Sequence, residues 1–277
     1  MSFQDKLLDS FIAFEQVIDL DNPVHTVRKN ALKRFESDGF PTKKDELWKY
    51  TSLKSIKQKD YILSVKTNPN VGLKDIEKYS INDIDSYKIV FVDGVFNPFL
   101  SNTTHDGMDI CVLSAALSKT KYKKTITKYF NKLDPDDQSL ASLNTSYTKE
   151  GAYIHIPKSV LPEDPVQILH FSSGKNKHLW LQPRNIIIVE ENARVEIIER
   201  HQSLKEHQVV TNCVTEIYVH KSAFIDYYKL QNDLPSSSLI DGTFIIQEKD
   251  SHASVHTFSL GGKLIRNILR YFHKYLL

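Results

Sequence analysis

The chain has 277 residues, of which 40% are hydrophobic and 25% charged, with 36 basic side chains against 34 acidic ones. This is the composition of a globular protein with one large domain or two modest ones, and a net charge of +2 gives no reason to expect nucleic acid or a membrane as partner. The two cysteines, Cys111 and Cys213, are too few for a disulfide framework or for the four thiolates of a typical iron–sulfur cluster.

Targeting signals are not evident. The N-terminus lacks a basic region followed by an apolar run, and no stretch approaches about 18 uncharged apolar residues. We therefore expect neither a signal peptide nor a transmembrane helix, and a cytoplasmic location. Glycine-rich loops that cradle phosphate are also missing from the sequence, so nucleotide binding by this chain is not expected.

Two amphipathic helices are predicted in the first forty residues. Apolar side chains recur at steps of three or four residues over 3–18 and again over 24–35. Ser2 and Asp5 have the spacing of a capping pair for the first helix, and Gly39 is suited to end the second.

A tryptophan stands in the charged segment GFPTKKDELWKYTSLKSI, residues 39–56. Thr42 can cap a short helix there with Asp45 three residues later. We interpret Trp48 and Tyr50 as packing anchors for this surface segment, because most aromatic side chains serve packing. Stacking of Trp48 on a ligand is the alternative.

The next segments predict a small α+β region. YKIVFVDGVFNPFLS (87–101) indicates a strand, a turn at Asp93-Gly94 and a second short strand, and MDICVLSAAL (108–117) a strand that runs into a helix. The breaker Asp134-Pro135 follows a segment rich in lysine and threonine.

We place a domain boundary at this breaker. The first domain, 1–135, is predicted to be a helical and small α+β region, and the second, 136–277, to be all-β. The second contains eight short segments that are rich in β-branched and aromatic residues and mostly alternate in polarity. They are 152–156, 166–171, 185–190, 193–199, 209–220, 224–231, 242–247 and 253–260.

These segments fit a sandwich, a barrel or a solenoid. The chain has only nine glycines and no exact short repeat, which excludes a glycine-rich solenoid. An irregular solenoid is still an alternative. The segment Glu190-Glu191-Asn192 suits either a solenoid corner or a hairpin.

Candidate acid–base and thiol residues favour ordinary structural roles. Glu199 and His201 share one strand face about 6.6 Å apart, but the polar run after His201 indicates solvent exposure. Cys213 lies in an alternating apolar strand and is expected to be a buried, inert thiol. The acidic run Glu190, Glu191, Glu196 and Glu199 is interpreted as a solvated outer face.

A metal site is not expected either. His252 and His256 are four apart, which on a strand means about 13 Å, too far for two ligands of one ion. The sequence therefore predicts no catalytic, no cofactor-binding and no metal-binding residues.

The tail KLIRNILRYFHKYLL (263–277) has basic residues at helical spacing on one side and apolar residues on another. It predicts either a basic amphipathic helix for a membrane or partner, or a terminal helix packed on the core.

Six collinear stretches resemble the SufD branch of the SufB/SufD family, which belongs to the SUF iron–sulfur cluster assembly system. The segment FPTKKDELWKYTSL carries the family's N-terminal signature at Pro41, Glu46, Trp48, Lys49, Tyr50 and Thr51. The other stretches are 142–160, 185–199, 215–219, 227–231 and 259–267. Together they cover nearly all of the chain to about Asn267.

The resemblance implies a right-handed parallel β-helix after an N-terminal helical region, and a non-catalytic scaffold role. SufD-like proteins pair with a SufB-like homologue through the β-helix, and bind a SufC-like ATPase through a C-terminal helical domain. The assembled complex builds the cluster, and SufD-like subunits are linked to iron supply. The implied cofactor is thus a cluster held only in the complex, with none bound by this chain alone.

The chain departs from the family where the match ends, after Arg266-Asn267. We therefore expect a truncated or frameshifted product that lacks the C-terminal helical domain and self-associates when alone. The alternatives are a β-helix enzyme acting on polysaccharide, and a defective fragment or peripheral membrane protein with a basic membrane-binding tail.

Overall fold

A computed structural model describes residues 2–63, 71–81, 84–105, 107–133, 138–175 and 178–274. The protein is mainly β, with 37% strand and 26% helix, and forms a β-solenoid of about four turns preceded by a helical region. This confirms the predicted fold class. The right hand of the coil stays a prediction.

Both predicted N-terminal helices are present, but the first ends at Glu15, before the last predicted position at residue 18. Ser2 Oγ accepts a hydrogen bond from the Asp5 N–H (3.1 Å) while the Asp5 carboxylate accepts from the Ser2 N–H (2.7 Å), so the capping pair is confirmed. Gly39, with φ of 66°, ends the second helix. The described helices are α1 (Phe3–Glu15), α2 (Val24–Asp38), α3 (Lys54–Lys57), α4 (Leu73–Ile76), α5 (Leu113–Ser118), α6 (Thr120–Tyr129) and α7 (Ser139–Ser146), with 3₁₀ turns at Glu46–Trp48 and Glu77–Tyr79.

All eight predicted strands of the β region are present. The described strands are β1 (Tyr87–Val92), β2 (Val95–Phe96), β3 (Asp109–Val112), β4 (Ala152–Ile156), β5 (Val166–Ser172), β6 (His178–Leu181), β7 (Arg184–Val189), β8 (Arg194–Ser203), β9 (Gln208–Val219), β10 (Phe224–Gln231), β11 (Ser238–Gln247), β12 (His252–Ser259) and β13 (Leu264–His273). The sequence analysis did not predict β6, β13 or helix α6.

Successive strands alternate between two sheets, which makes the solenoid. The first sheet has the order β2-β1-β5-β8-β10-β12 and the second β3-β4-β7-β9-β11-β13, with β6 also pairing with β9. Neighbouring coils pair in parallel. Among the named strands that the structure describes, the antiparallel pairs are β1 with β2 and β3 with β4. Alternate side chains of each strand therefore point into the space between the sheets.

Apolar residues fill one half of this interior, including Ile197 of β8, Ile225 of β10 and Ile217 of β9. Helices α5 to α7 and the N-terminal helices cover the outer face of the second sheet with two further apolar clusters. One face of the second sheet thus borders the lumen and the other a helical layer.

One corner of the solenoid repeats in successive coils. Ser159, Asn192, Ser222 and Asp250 all have φ between 54° and 60°, which is the left-handed region. The N–H of Asn192 donates to the Lys221 carbonyl (3.1 Å), and that of Ser222 to the Lys249 carbonyl (3.0 Å). The segment Glu190-Glu191-Asn192 is therefore a solenoid corner and not a hairpin.

The structure confirms one of the two packing anchors predicted for the charged segment around Trp48. Trp48 is 4% exposed and its ring lies 4.3 Å from the Arg266 guanidinium of β13. Arg266 also donates to the Leu47 carbonyl. Trp48 is therefore a packing anchor that joins the N-terminal region to the last coil. Tyr50 is 92% exposed, so its predicted anchoring role was wrong.

The C-terminal tail is a strand, and both helical predictions for it were wrong. β13 pairs in parallel with β11 over ten residues, from Ser238↔Leu264 to Gln247↔His273. Its apolar residues come in adjacent pairs, at 264–265, 268–269 and 271–272, so the spacing resembles that of a helix although the segment is a strand. Residues 275–277 of the predicted helix lie outside the described residues.

The predicted domain boundary at about residue 135 falls on residues 134–137, outside the described residues. Strand β1, from the predicted first domain, pairs in parallel with β5 and so extends the first sheet of the solenoid. The division into 1–135 and 136–277 stays a prediction.

Candidate functional site

On one side of the solenoid interior, the inward-facing side chains of successive coils are polar instead of apolar. We call this set the interior cluster: His170 (β5), Asn185 (β7), Glu199 and His201 (β8), Cys213 and Thr215 (β9), Tyr227 and Lys229 (β10), and Asp241 and Thr243 (β11). Each has the same strand parity as the inward-facing apolar residues of its own strand, such as Ile197 before Glu199. All ten are buried.

Strand register brings the cluster together. His170 lies directly opposite His201 on neighbouring strands, and Lys229 directly opposite Glu199. On the second sheet Cys213 faces Asp241 in the same way. Residues about one coil apart in sequence thus become nearest neighbours.

Glu199 is the centre of the cluster and is completely buried. Its Oε1 lies 3.1 Å from His201 Nε2 and 3.5 Å from His170 Nε2, and accepts a hydrogen bond from Asn185 Nδ2 (3.0 Å). Its Oε2 accepts a hydrogen bond from the Tyr227 hydroxyl and lies 4.0 Å from Lys229 Nζ. One carboxylate oxygen therefore faces two imidazoles, and the other faces a phenol and an ammonium.

The two imidazoles are held by stacking. The His170 ring lies between Phe91, with centroids 5.0 Å apart, and His201, with centroids 4.7 Å apart and planes 11° from parallel. His170 Nε2 makes no hydrogen bond of good geometry among the described residues. It is a buried nitrogen that points at a carboxylate from the outer limit of hydrogen-bond distance.

Burial and close contacts set the charge states. Burial lowers the pKa of His170, which favours neutral imidazole. Burial by itself would raise the pKa of Glu199, but the His170 and His201 imidazoles and the Lys229 ammonium beside the carboxylate bring it well below its usual range. Burial opposes the charge of Lys229, yet the carboxylates of Asp241 and Glu199 raise its pKa.

Lys229 forms a second buried contact set. Its Nζ forms an ion pair with the Asp241 carboxylate and donates to Thr243 Oγ1 (2.7 Å). The ammonium is therefore fixed on the side of the cluster away from the imidazoles.

A small cavity of about 20 Å³ reaches the imidazoles. His170, His201, Phe91, Gly94 and Asp233 are among the residues that line it. This volume is enough for one water molecule or one ion.

Sequence analysis placed Glu199 and His201 on one strand face, and the structure confirms this. Their predicted solvent exposure was wrong, because this face points into the lumen and His201 is only 4% exposed. In the same acidic run, Glu196 is exposed and Glu190 and Glu191 are partly exposed, so the outer-face interpretation fails only for Glu199.

The other residues singled out in the sequence are His252, His256 and Cys213. His252 and His256 lie on strand β12, so four positions separate them along a strand as assumed. Cys213 is buried as predicted, 3.6 Å from Glu199 Oε1. His170, Tyr227, Lys229 and Asp241 were missed. The sequence shows that these residues share a strand face with the apolar residues two positions away. It does not show which strands are neighbours in the sheets.

A separate buried ion pair lies on the outer face of the second sheet. Arg184 and Glu216 are both fully buried, with Arg184 Nη2 2.7 Å from Glu216 Oε2. Glu216 also accepts hydrogen bonds from the backbone N–H groups of Asn131, Lys132 and Leu133 (2.9–3.1 Å). This pair joins the end of α6 to the solenoid and has a structural role.

Chemically, the interior cluster offers metal ligands. One atom each of His170, Glu199 and His201 lies within 4.8 Å of the others, and no other such group occurs among the residues the structure describes. None of the described helices combines the length and apolar character needed to span a bilayer.

Comparison with known proteins identifies the family. The model of the SufBD protein N-terminal region matches residues 1–168, and that of the SufBD core domain of SUF system FeS cluster assembly matches residues 170–274. The boundary between the two matches lies in β5, beside His170.

Three curated relatives resemble the chain at 24–26% identity. An iron–sulfur cluster assembly SufBD family protein of Synechocystis is 26% identical over 251 residues, covering 88% of this chain and 55% of the relative. The chloroplastic protein ABCI7 of Arabidopsis thaliana is 25% identical (88% and 52% covered), and the iron–sulfur cluster assembly protein SufD of Escherichia coli is 24% identical (85% and 53%). The chain spans about half the length of these relatives. With family models matched over both its helical region and its solenoid, the chain belongs to the SufBD family.

Proposed function

We propose that this chain is a non-catalytic scaffold subunit for iron–sulfur cluster assembly in the cytoplasm, and that it contributes to iron supply. The observation that carries the proposal is the pair of family matches over residues 1–168 and 170–274. Relatives named for iron–sulfur cluster assembly support the same role.

The shape of the molecule supports a scaffold rather than an enzyme of large substrates. Side chains fill the lumen, and the cavity that reaches the interior cluster has about 20 Å³, too small for a sugar ring. The lumen is therefore closed to a polysaccharide chain. The membrane alternative loses its basis because the basic tail is a strand.

The proposed partners are a SufB-like homologue, bound through the solenoid, and a SufC-like ATPase. The ATPase is expected to bind the half of the relatives that this chain does not cover. The iron–sulfur cluster is the product of the assembled complex and is not held by this chain alone. Strands β12 and β13 are the outermost strands of the two sheets among the described residues.

The test is co-purification. The tagged chain is co-expressed with SufB-like and SufC-like proteins, beside a full-length SufD-like protein as positive control and an unrelated tagged β-solenoid as negative control. Retention of the SufB-like protein above the unrelated solenoid supports the scaffold role. Retention by the full-length control alone contradicts the proposal for this chain.

A further inference from the structure

We propose that His170, Glu199 and His201 bind one divalent first-row transition-metal ion inside the solenoid. The ligands are one imidazole nitrogen from each histidine and the Oε1 oxygen of Glu199. The inference deepens the proposed contribution to iron supply, on which it rests, by naming a site where this chain binds an ion without any partner. The metal site can be disproved without disproving the scaffold role, and the scaffold role can be disproved without disproving the metal site.

The ligand spacing fits a metal ion. Nitrogen and oxygen atoms bound at about 2.0–2.2 Å to a tetrahedral ion lie about 3.3–3.6 Å apart. The Glu199 Oε1 atom lies 3.5 Å from His170 Nε2 and 3.1 Å from His201 Nε2. Because the two imidazole rings are stacked nearly parallel with centroids 4.7 Å apart, coordination by both requires one ring to turn out of the stack toward Glu199.

His170 gives the second, independent observation. Its Nε2 is buried, faces Glu199, and has no hydrogen-bond partner of good geometry among the described residues. A buried polar nitrogen without a partner is unfavourable and calls for an explanation. Coordination of an ion through this nitrogen supplies the missing interaction.

The interior cluster places a buried carboxylate oxygen beside the imidazoles. Glu199 and Asp241 are buried carboxylates, and Lys229 contacts both. The Oε1 oxygen of Glu199 faces the two imidazoles, whereas Lys229 lies beside Oε2. A divalent ion on the imidazole side would therefore contact an oxygen that Lys229 does not neutralise directly.

The surroundings hold the ligands in place. Tyr227 and Asn185 hydrogen-bond to Glu199, and stacking on Phe91 fixes the His170 ring. Hydrogen bonds to ligating carboxylates orient them and raise metal affinity. Lys229, the cation that would repel a metal, is bound to Asp241 and faces the other carboxylate oxygen.

The ligand set selects the kind of ion. Two imidazoles and one carboxylate suit Fe²⁺, Zn²⁺ or Co²⁺, whereas Mg²⁺ and Ca²⁺ prefer oxygen ligands alone. Three protein ligands leave at least one coordination position, which the cavity of about 20 Å³ beside His170 and His201 can fill with water. The site is thus one for a labile ion rather than a closed structural zinc site.

The test uses the full chain, stripped of metal with chelator and titrated with Co²⁺, Zn²⁺ and, under anaerobic conditions, Fe²⁺. Mg²⁺ is the negative control. We expect one Co²⁺ per chain, with visible absorption of a nitrogen- and oxygen-ligated ion, and competition by Zn²⁺ and Fe²⁺ but not by Mg²⁺. X-ray absorption of the zinc-loaded chain is expected to show imidazole scattering.

Three variants and one control locate the ion. His170→Phe keeps the aromatic stack and Glu199→Gln keeps the side-chain shape, and each is expected to weaken Co²⁺ binding by about 100-fold or more. Tyr227→Phe removes only a hydrogen bond to Glu199 and is expected to weaken binding by about tenfold. His207→Phe alters a buried histidine outside the triad and is expected to leave affinity unchanged.

Two results overturn the inference. The first is that the wild-type chain binds neither Co²⁺ nor Zn²⁺ stoichiometrically, or that the zinc-loaded chain shows no imidazole scattering. This result does not depend on whether any variant folds. The second is that His170→Phe and Glu199→Gln, folded by circular dichroism, bind Co²⁺ as tightly as His207→Phe. In that case the triad is a hydrogen-bonded group only, with His201 protonated against Glu199.

Discussion

Replacing Arg184 by methionine tests whether the buried ion pair under helices α6 and α7 stabilises the fold. The Arg184 guanidinium is fully buried, contacts Glu216 and donates to the side chains of Asn144, Thr145 and Asn131. Methionine fills a similar volume without a charge. The substitution therefore leaves the Glu216 carboxylate buried without its counter-ion.

The magnitude follows from what remains around Glu216. Removal of one partner of a buried pair costs about 3–5 kcal/mol, because the other charge is left uncompensated. Three backbone N–H groups and the Tyr218 hydroxyl still donate to Glu216, which keeps the effect inside that range. For a chain of this size we expect a melting temperature lower by about 6–20 °C.

The assay is urea unfolding followed by tryptophan fluorescence, with Arg194→Met as the matched control. Arg194 is exposed and lies 3.4 Å from Asp226, so its loss is expected to cost less than about 1 kcal/mol. The double variant Arg184→Met/Glu216→Leu is expected to be less destabilised than the sum of the single variants. A cost for Arg184→Met equal to that of Arg194→Met, or strict additivity in the double variant, would refute the reasoning.

Three further predictions concern a corner, a thiol and the last coil. Ser222→Gly is expected to raise the free energy of unfolding by up to about 1 kcal/mol and Ser222→Val to lower it by more, because Ser222 has φ of 54°; equal effects in urea unfolding would contradict this. Burial raises the pKa of Cys111 to about 11, so its alkylation by iodoacetamide is expected to be slow at pH 7.5 and to accelerate only as the pH approaches 11. Fast alkylation of the native chain at pH 7.5, compared with the same chain in urea, would show that the thiol is not buried. Strands β12 and β13 each pair on one edge only among the described strands, and Phe258 and Leu269 are exposed there, so the chain alone is expected to self-associate in light scattering. A monodisperse monomer at all concentrations would contradict that expectation.

The sequence predicted most strands because their residue types favour extended structure wherever they lie in the fold. Strands β4 and β10 match the predicted bounds to the residue. The solenoid corners were also present in the sequence as a spaced series, with Asn192, Ser222 and Asp250 about 30 residues apart. The series was not found because the left-handed position accepts Asn, Ser or Asp, so the corners do not share one residue type.

The tail shows where a local pattern misleads. Its apolar residues come in adjacent pairs at helical spacing, so the sequence by itself favours a helix. The open edge of β11 decides, because it provides backbone hydrogen-bond partners for all of β13. The contact between Arg266 and Trp48 then joins residues more than 200 positions apart.

At the candidate site, too, some features follow from the sequence and others only from the tertiary structure. The sequence by itself determined that Glu199 and His201 share a strand face, because side-chain direction alternates along a strand. Only the tertiary structure decided that this face is the interior one, and only register between coils brought His170 opposite His201 and Lys229 opposite Glu199. Alternation is a property of the single strand, whereas register depends on how long each corner is, and that is set by packing against the neighbouring coils.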